Sequence, residues 1–438
     1  MANGSVPGDE NRASPRSVTA ADAPPAAGAG AAPAPPRRKS GLFPRVGHLP
    51  RVVWLLSLAS LFNDLSSEAI FPLLPAFLVS LGAPMSFLGL IEGSADALSS
   101  VLKMAAGRLS DRGSRRFFVT GGYLLPAIAR AGIAVAGGAS QVLAARLLDR
   151  TGKGIRSAPR DAMLADSVKP TERGRAFGLN RSMDHLGGAI GPLMASGLML
   201  LGLSMRKTFG VAAFFGLLAP VLLFLRLRDP RAAELADGTT HATTQPVRTG
   251  GGFKRGFAFY LTVCVFFALG NSSDAFLLVR AKELGWSPAA IPLLWFFHHL
   301  VKSAVAIPGG ALSDRHSRAV VVSAGWFAYG LTYLGFAFAT AGWQILALFV
   351  AYALYHGLAE GAERAIIADF AEPGARGRAF GLYHGLVGVA ALPAGFGTGW
   401  IWDHWGAAWA LSINAACAAI ASLSLFWLAF AGTLRRAK

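Results

Sequence analysis

Arg146, Asp149, Lys153, Arg156 and Arg160 are spaced three, four, three and four residues apart. That spacing puts all five on one stripe of an α-helix, with Leu147, Leu148, Thr151, Ile155 and Ala158 on the other sides. The segment nevertheless follows an apolar stretch. A charge at the centre of a membrane helix costs about 2.5–3.5 kcal/mol on insertion scales, and such groups normally pair or line a watery cavity. The chemistry open to the stripe is mutual neutralisation, binding of a charged solute, or proton transfer. Acids sit at matching depth: Asp64 and Glu68 lie one turn apart in "NDLSSEAIF", and Glu92 and Asp96 share a face of the next apolar segment. Arg130, Arg181, Asp184 and His185 lie in further apolar segments, as do Asp274, His298, His299, Lys302, His356 and Glu360. A carboxylate near cations in a low dielectric suits a proton carrier, because desolvation and pairing act on it in opposite directions.

The elements that position these residues are membrane helices. The 438-residue chain is 53% hydrophobic and 15% charged, against about 25% charged in soluble domains. His404–Leu434 and Ala319–Ala359 hold no Asp, Glu, Lys or Arg, and about 20 such residues cross a bilayer as a helix. The pattern predicts twelve spans, near 51–80, 86–107, 117–138, 140–165, 175–203, 207–226, 255–280, 288–310, 318–339, 342–369, 377–400 and 407–432. Residues 1–48, rich in Ala, Pro and Gly, read as a disordered cytoplasmic tail without a signal-peptide core. Residues 49–226 form a first six-helix half, 227–253 a polar cytoplasmic linker and 254–438 a second half. The net charge of +17 gathers in alternate loops and at the C-terminal "RRAK". That placement excludes a nucleic-acid reading and sets both termini in the cytoplasm. Cys264 and Cys417 lie in separate spans and form no metal or disulfide framework.

The halves repeat each other. "GRLSDRGSRR" at 107–116 returns as "GALSDRHSRA" at 310–319, and "RGRAFGL" at 173–179 returns unchanged at 376–382. Both pairs are offset by 203 residues. The same offset takes Lys153 to His356, Arg181 to His384, Arg160 to Glu363 and Asp161 to Arg364. Internal repeats of this kind mark transporter folds whose substrate site lies at the repeat interface near the bilayer midplane.

On these motifs the chain resembles the major facilitator superfamily over residues 51–432. Gly107, Leu109, Asp111, Arg112, Arg115 and Arg116 match its loop motif between spans two and three, with Ser114 in place of a second glycine. Gly310, Asp314 and Arg315 repeat it. "GGAIGP" at 187–192 is similar to the span-five motif of the family's exporters. Arg146 matches the arginine of its antiporter motif R-x-x-Q-G, although Asp149 and Arg150 stand where that motif has Gln and Gly. The resemblance implies an all-α membrane fold of two pseudo-symmetric six-helix bundles, with spans one, four, seven and ten around the cavity. The loop residues would then act in conformational change, Asp111 and Asp314 each facing a helix N-terminus of the other half.

The function expected is secondary-active transport of a small solute by alternating access, as proton-coupled efflux from a bacterial inner membrane. No cofactor is expected, the proton gradient supplying the energy. The partners are the bilayer and a small-molecule substrate, with the protein acting as a monomer. Asp64, Glu68, Arg146, Asp149, Lys153, Arg156, Arg181, Asp184, Asp274, His356, Glu360 and His384 are the expected cavity or coupling residues, with Asp64 or Glu68 carrying the proton. A divalent metal-ion exporter, suggested by the histidines, and an uptake carrier for an anionic metabolite stand as alternatives. There is no Walker A motif for an ATP-driven pump and no HExxH or nucleophile–base signature for an intramembrane enzyme.

Overall fold

The computed structural model describes residues 48–110, 114–169, 172–227, 253, 256–370 and 376–430. The tail, most of the linker, Asp111 and Arg112 lie outside the described residues. Gly107, Gly310, Asp314, Arg315 and Glu360 are placed by their helical backbone alone.

The chain begins with α1 (Arg51–Ile70), which passes through a 3-10 turn, Phe71–Leu73, into α2 (Leu74–Ser80). Pro72 and Pro75 fall at this break and lack the amide an α-helical ladder needs. Next come α3 (Met85–Ser110), α4 (Arg115–Val135), α5 (Ala139–Asp166), α6 (Arg173–Leu200) and α7 (Met205–Arg226). The second half opens with another broken rod, α8 (Phe257–Gly270) and α9 (Ala275–Glu283). It continues through α10 (Ile291–Arg315), α11 (Arg318–Phe338), α12 (Gly342–Phe370), α13 (Arg376–Trp405) and α14 (Ala407–Phe430). With α1–α2 and α8–α9 each taken as one rod, the helices follow the order the sequence predicts. Among the described residues, six of the segments are long and apolar enough to cross a membrane. Phe214, Phe224, Leu423 and Trp427 stay more than half exposed on the outside, a surface suited to lipid and costly in water.

The repeat recurs in the contacts. Arg115 pairs with Asp166 and Arg318 with Asp369, each at 2.5 Å and each pair displaced by the same 203 positions. The Gln141 amide oxygen accepts from Gly137 N at 2.6 Å, and its counterpart Gln344 accepts from Thr340 N at 2.7 Å. Gly82 and Gly285, again in register, both take a positive φ in the turn that ends their rod, a conformation glycine adopts without a Cβ penalty.

The span-five glycines have a packing reason. A Cβ at Gly187 or Gly191 would strike the carbonyl of Leu61 or Leu65 on α1. The "GGAIGP" stretch therefore lets α6 lie directly on the α1 backbone, as small residues do between membrane helices.

Candidate functional site

A cavity of about 440 Å³ lies between the two halves. From the first half α3 lines it with Asp96, Ser99, Ser100 and Lys103, and α5 with Arg150 and Lys153. From the second half come the α8–α9 break (Asn271–Asp274), Tyr352 and His356 of α12, and His384 of α13. The break has a local cause: "NSSD" between α8 and α9 favours turns over helix through short side-chain bonds to the backbone. It presents Asp274, whose Oδ1 accepts from the Tyr352 hydroxyl at 2.5 Å.

The end of the bundle opposite Arg51 and Phe430 is sealed. The Asp403 carboxylate at the end of α13 accepts from the backbone amides of Met85 and Ser86, at 2.7 and 2.8 Å, where α3 begins. An anion there also meets the positive end of the helix dipole. Below this contact α3 and α13 pack through glycine. A Cβ at Gly89 would collide with the Gly395 carbonyl, and one at Gly93 with that of Ala391. On the other side Ser196 donates to the Ala289 carbonyl at 2.7 Å. Trp295 Nε1 donates to Glu68 Oε2 at 2.8 Å, with His299 Nε2 3.9 Å away. The cavity lies on the inner side of this seal, its lining running along α3 from Glu92 to Lys103.

The expected residues divide into two groups. Lys153, Asp274, His356 and His384 line the cavity. Arg146, Asp149 and Arg156 do not, which corrects the expectation that the whole stripe faces it. These three side chains are buried. Arg146 makes a forked contact with Glu92 of α3, at 2.7 Å to each oxygen. Asp149 meets Arg130 of α4 at 2.9 Å, and Arg130 donates to the Asn63 carbonyl at 2.9 Å. Arg156 lies over the Tyr123 ring at 4.5 Å and donates to the Gly122 carbonyl. These three thus belong to a polar network inside the first half, with charged side chains from α3, α4 and α5 and a carbonyl from α1. The reason is the roll of α5, which packs Arg146, Asp149 and Arg156 on α3 and α4 and leaves Lys153, at the edge of the stripe, beside Arg150 on the cavity. Asp64 accepts from Asn63 at 2.8 Å, Glu68 belongs to the seal, and Arg181 and Asp184 face each other at 4.0 Å along α6. Sequence reasoning missed Arg150, Lys103, Tyr352 and Asn271–Ser273 as lining; the helix-breaking "NSSD" was the available signal for the last.

No group of three His, Cys, Asp or Glu side chains able to hold a metal is found among the described residues. His298 is taken up by stacking on Trp295 and Tyr352, each at 5.2 Å. The metal-exporter alternative therefore finds no ligand set there.

The lining can be checked by labelling. In a background with Cys264 and Cys417 replaced by Ser, Lys153→Cys and Ser273→Cys should react with a water-soluble thiol reagent at least about tenfold faster than Ala145→Cys, because water must reach the thiolate. Equal protection at all three positions would contradict the placement.

Residues 56–297 and 262–438 match the family model described as Major Facilitator Superfamily. An uncharacterized MFS-type transporter of Methanocaldococcus jannaschii is 29% identical over 81% of this chain and 89% of its own length. The multidrug resistance protein MdtH of Cronobacter sakazakii is 26% identical over 76% of this chain and 82% of its own. Among solved structures, a mutant of the peptide transporter POT superimposes with a TM-score of 0.72 at 15% identity, over 88% of this chain and 95% of that one. A D-xylose–proton symporter does so with a TM-score of 0.65 at 17% identity, over 86% and 96%. At such identities the likeness is one of fold.

Proposed function

The chain belongs to the major facilitator superfamily, and from that premise we propose that this membrane transporter exports a small solute in exchange for protons by alternating access. The observation that carries the reading is the polar cavity between two halves joined by a seal at one end. A carrier needs a site to which both halves contribute, so that rocking one against the other changes the side it faces. The seal suits that motion, because its contacts can part without opening either half: one carboxylate on two amides, one indole on one carboxylate, and glycine faces. The name multidrug resistance protein on relatives such as that of Cronobacter sakazakii supports export. On this reading both termini lie in the cytoplasm of a bacterial inner membrane, following the placement of Lys and Arg.

Glu68 is the group through which protons act. Its carboxylate joins the halves across the seal, so on this reading its charge and the state of the seal are linked. Trp295 and His299 of α10 face it, Gly188 of α6 packs beside it, and Asp64 lies one turn away on α1. Protonation would weaken its bond to the indole and let the seal open. Glu68→Gln should therefore reduce pH-driven transport about tenfold or more, the effect of losing a charged hydrogen bond worth about 1.5–3 kcal/mol. Energy-independent solute exchange should persist. The measurement is proton-coupled flux in proteoliposomes, using the solute that most stabilises the purified protein. Normal pH dependence in both Glu68→Gln and Asp64→Asn would place the proton site elsewhere.

A further inference from the structure

We propose that the central cavity takes an organic anion, a carboxylate, phosphate or sulfonate on a partly apolar body, and that Lys103, Arg150 and Lys153 select it. The inference rests on the carrier reading and gives it a substrate class.

Three cations reach the cavity from α3 and α5. Neither Lys103 nor Lys153 has a carboxylate partner among the described residues. Arg150 approaches Asp96 at 3.8 Å through Nε, and that buried Nε has no hydrogen-bond partner among the described residues. Glu92, at the edge of the cavity, cannot supply the missing charge, since both of its oxygens are engaged by Arg146. The facing acid, Asp274, is held by Tyr352. The first-half wall is therefore cationic, with Asp96 and Asp274 as the acids left to oppose three cations. A cleft with one sign of charge and low-dielectric walls focuses its field on counter-ions. A cationic solute would meet a net like charge, with Asp96 already facing Arg150 and Asp274 already bonded to Tyr352.

The rest of the lining describes the body of the solute. Among the described residues the buried Ser99 hydroxyl has no hydrogen-bond partner, and neither has His356 Nε2. Phe71, Val387 and Ala391 add apolar surface. A volume of about 440 Å³ falls in the range of sites for drug-sized ligands. An anionic head against Lys103, Arg150 and Lys153, with an apolar body between Phe71 and Val387, uses all of these groups.

The test is a thermal-shift screen of the purified full-length protein against a library sorted by charge. It would include phenylacetate, phenylphosphonate and phenethylamine as matched probes that differ in the charged group. Stabilising compounds should all carry an anion, and their affinity should fall about tenfold in Lys153→Gln and again in Lys103→Gln/Lys153→Gln, as expected for losing a charge-assisted contact. The unliganded melting temperature of the variants should hold, since neither lysine forms an ion pair among the described residues. A screen whose stabilisers are amines or neutral compounds, a screen without any stabiliser, or anion binding undiminished in the double variant would overturn the assignment. Counterflow of a bound anion in proteoliposomes is read separately. Binding without counterflow refutes the carrier and leaves the anion site standing, whereas counterflow of amines refutes the anion site and leaves the carrier.

Discussion

Arg146→Met should be among the most destabilising single substitutions in the membrane core, and Glu92→Leu should be nearly as harmful. The two side chains are buried, at 5% and 2% exposure, and form a forked pair. Removing Arg146 strands the Glu92 charge in a low dielectric, a loss of about 3–5 kcal/mol, while removing Glu92 leaves Arg146 only its longer contact to Asp149 at 3.9 Å. The double variant should recover most of that loss, because a buried pair replaced by apolar groups of similar volume is often neutral. Asp149 would keep its partner Arg130 at 2.9 Å, so the rest of the network survives. Unfolding midpoints in detergent for the four members of the cycle give the coupling directly. Singles as stable as the parent, or a double as unstable as the sum of the singles, would show that the pair does not act as a unit. The outcome also bears on role: a structural pair shifts stability, whereas a substrate site shifts binding.

This network shows where the sequence was legible and where it was not. Helices were readable because long apolar runs and basic loops leave little choice in a bilayer. The repeat was readable because its offset carries through both motifs without a gap. The orientation of α5 was not. Spacing places Arg146, Asp149 and Arg156 on one face, but which neighbour that face meets depends on the roll of the helix, and packing sets the roll. The repeat also conceals a change of chemistry. The counterparts of Glu92, Arg130, Arg146 and Asp149, each 203 positions later, are Trp295, Tyr333, Phe349 and Tyr352. The Arg130–Asp149 ion pair of the first half becomes an edge contact between the rings of Tyr333 and Tyr352, with centroids 6.0 Å apart. One half thus fixes its core with ions and the other with aromatic rings, at the same places in the fold. An offset identifies equivalent positions; it does not reveal which of them touch. The breaks at Phe71–Leu73 and Asn271–Asp274 were also passed over, since hydropathy averages across a short polar or proline-bearing turn.

Gly89→Val should abolish transport without unfolding the protein. The Cβ of any residue at 89 would fall on the Gly395 carbonyl, and the facing Gly395 and Gly399 are as tightly placed against Gly89 and Met85. Both sides of that contact are backbone, so no side chain can swing away to make room. Overpacking typically costs about 1–3 kcal/mol and occasionally more, and the cost falls only on the conformer in which α3 and α13 touch. Each half keeps its own packing, so the protein should fold and sit with this end open. A bias of that size shifts the population about 5- to 150-fold, and a carrier that cannot close one end cannot complete its cycle. Gly397→Val on the same helix is the control, because a Cβ there meets nothing within 4 Å. Flux in proteoliposomes should be lost in the first variant and kept in the second. Ser86→Cys, next to the Asp403 cap, should label faster with a water-soluble thiol reagent in the Gly89→Val background. Normal flux in Gly89→Val would mean that this contact never has to form during transport.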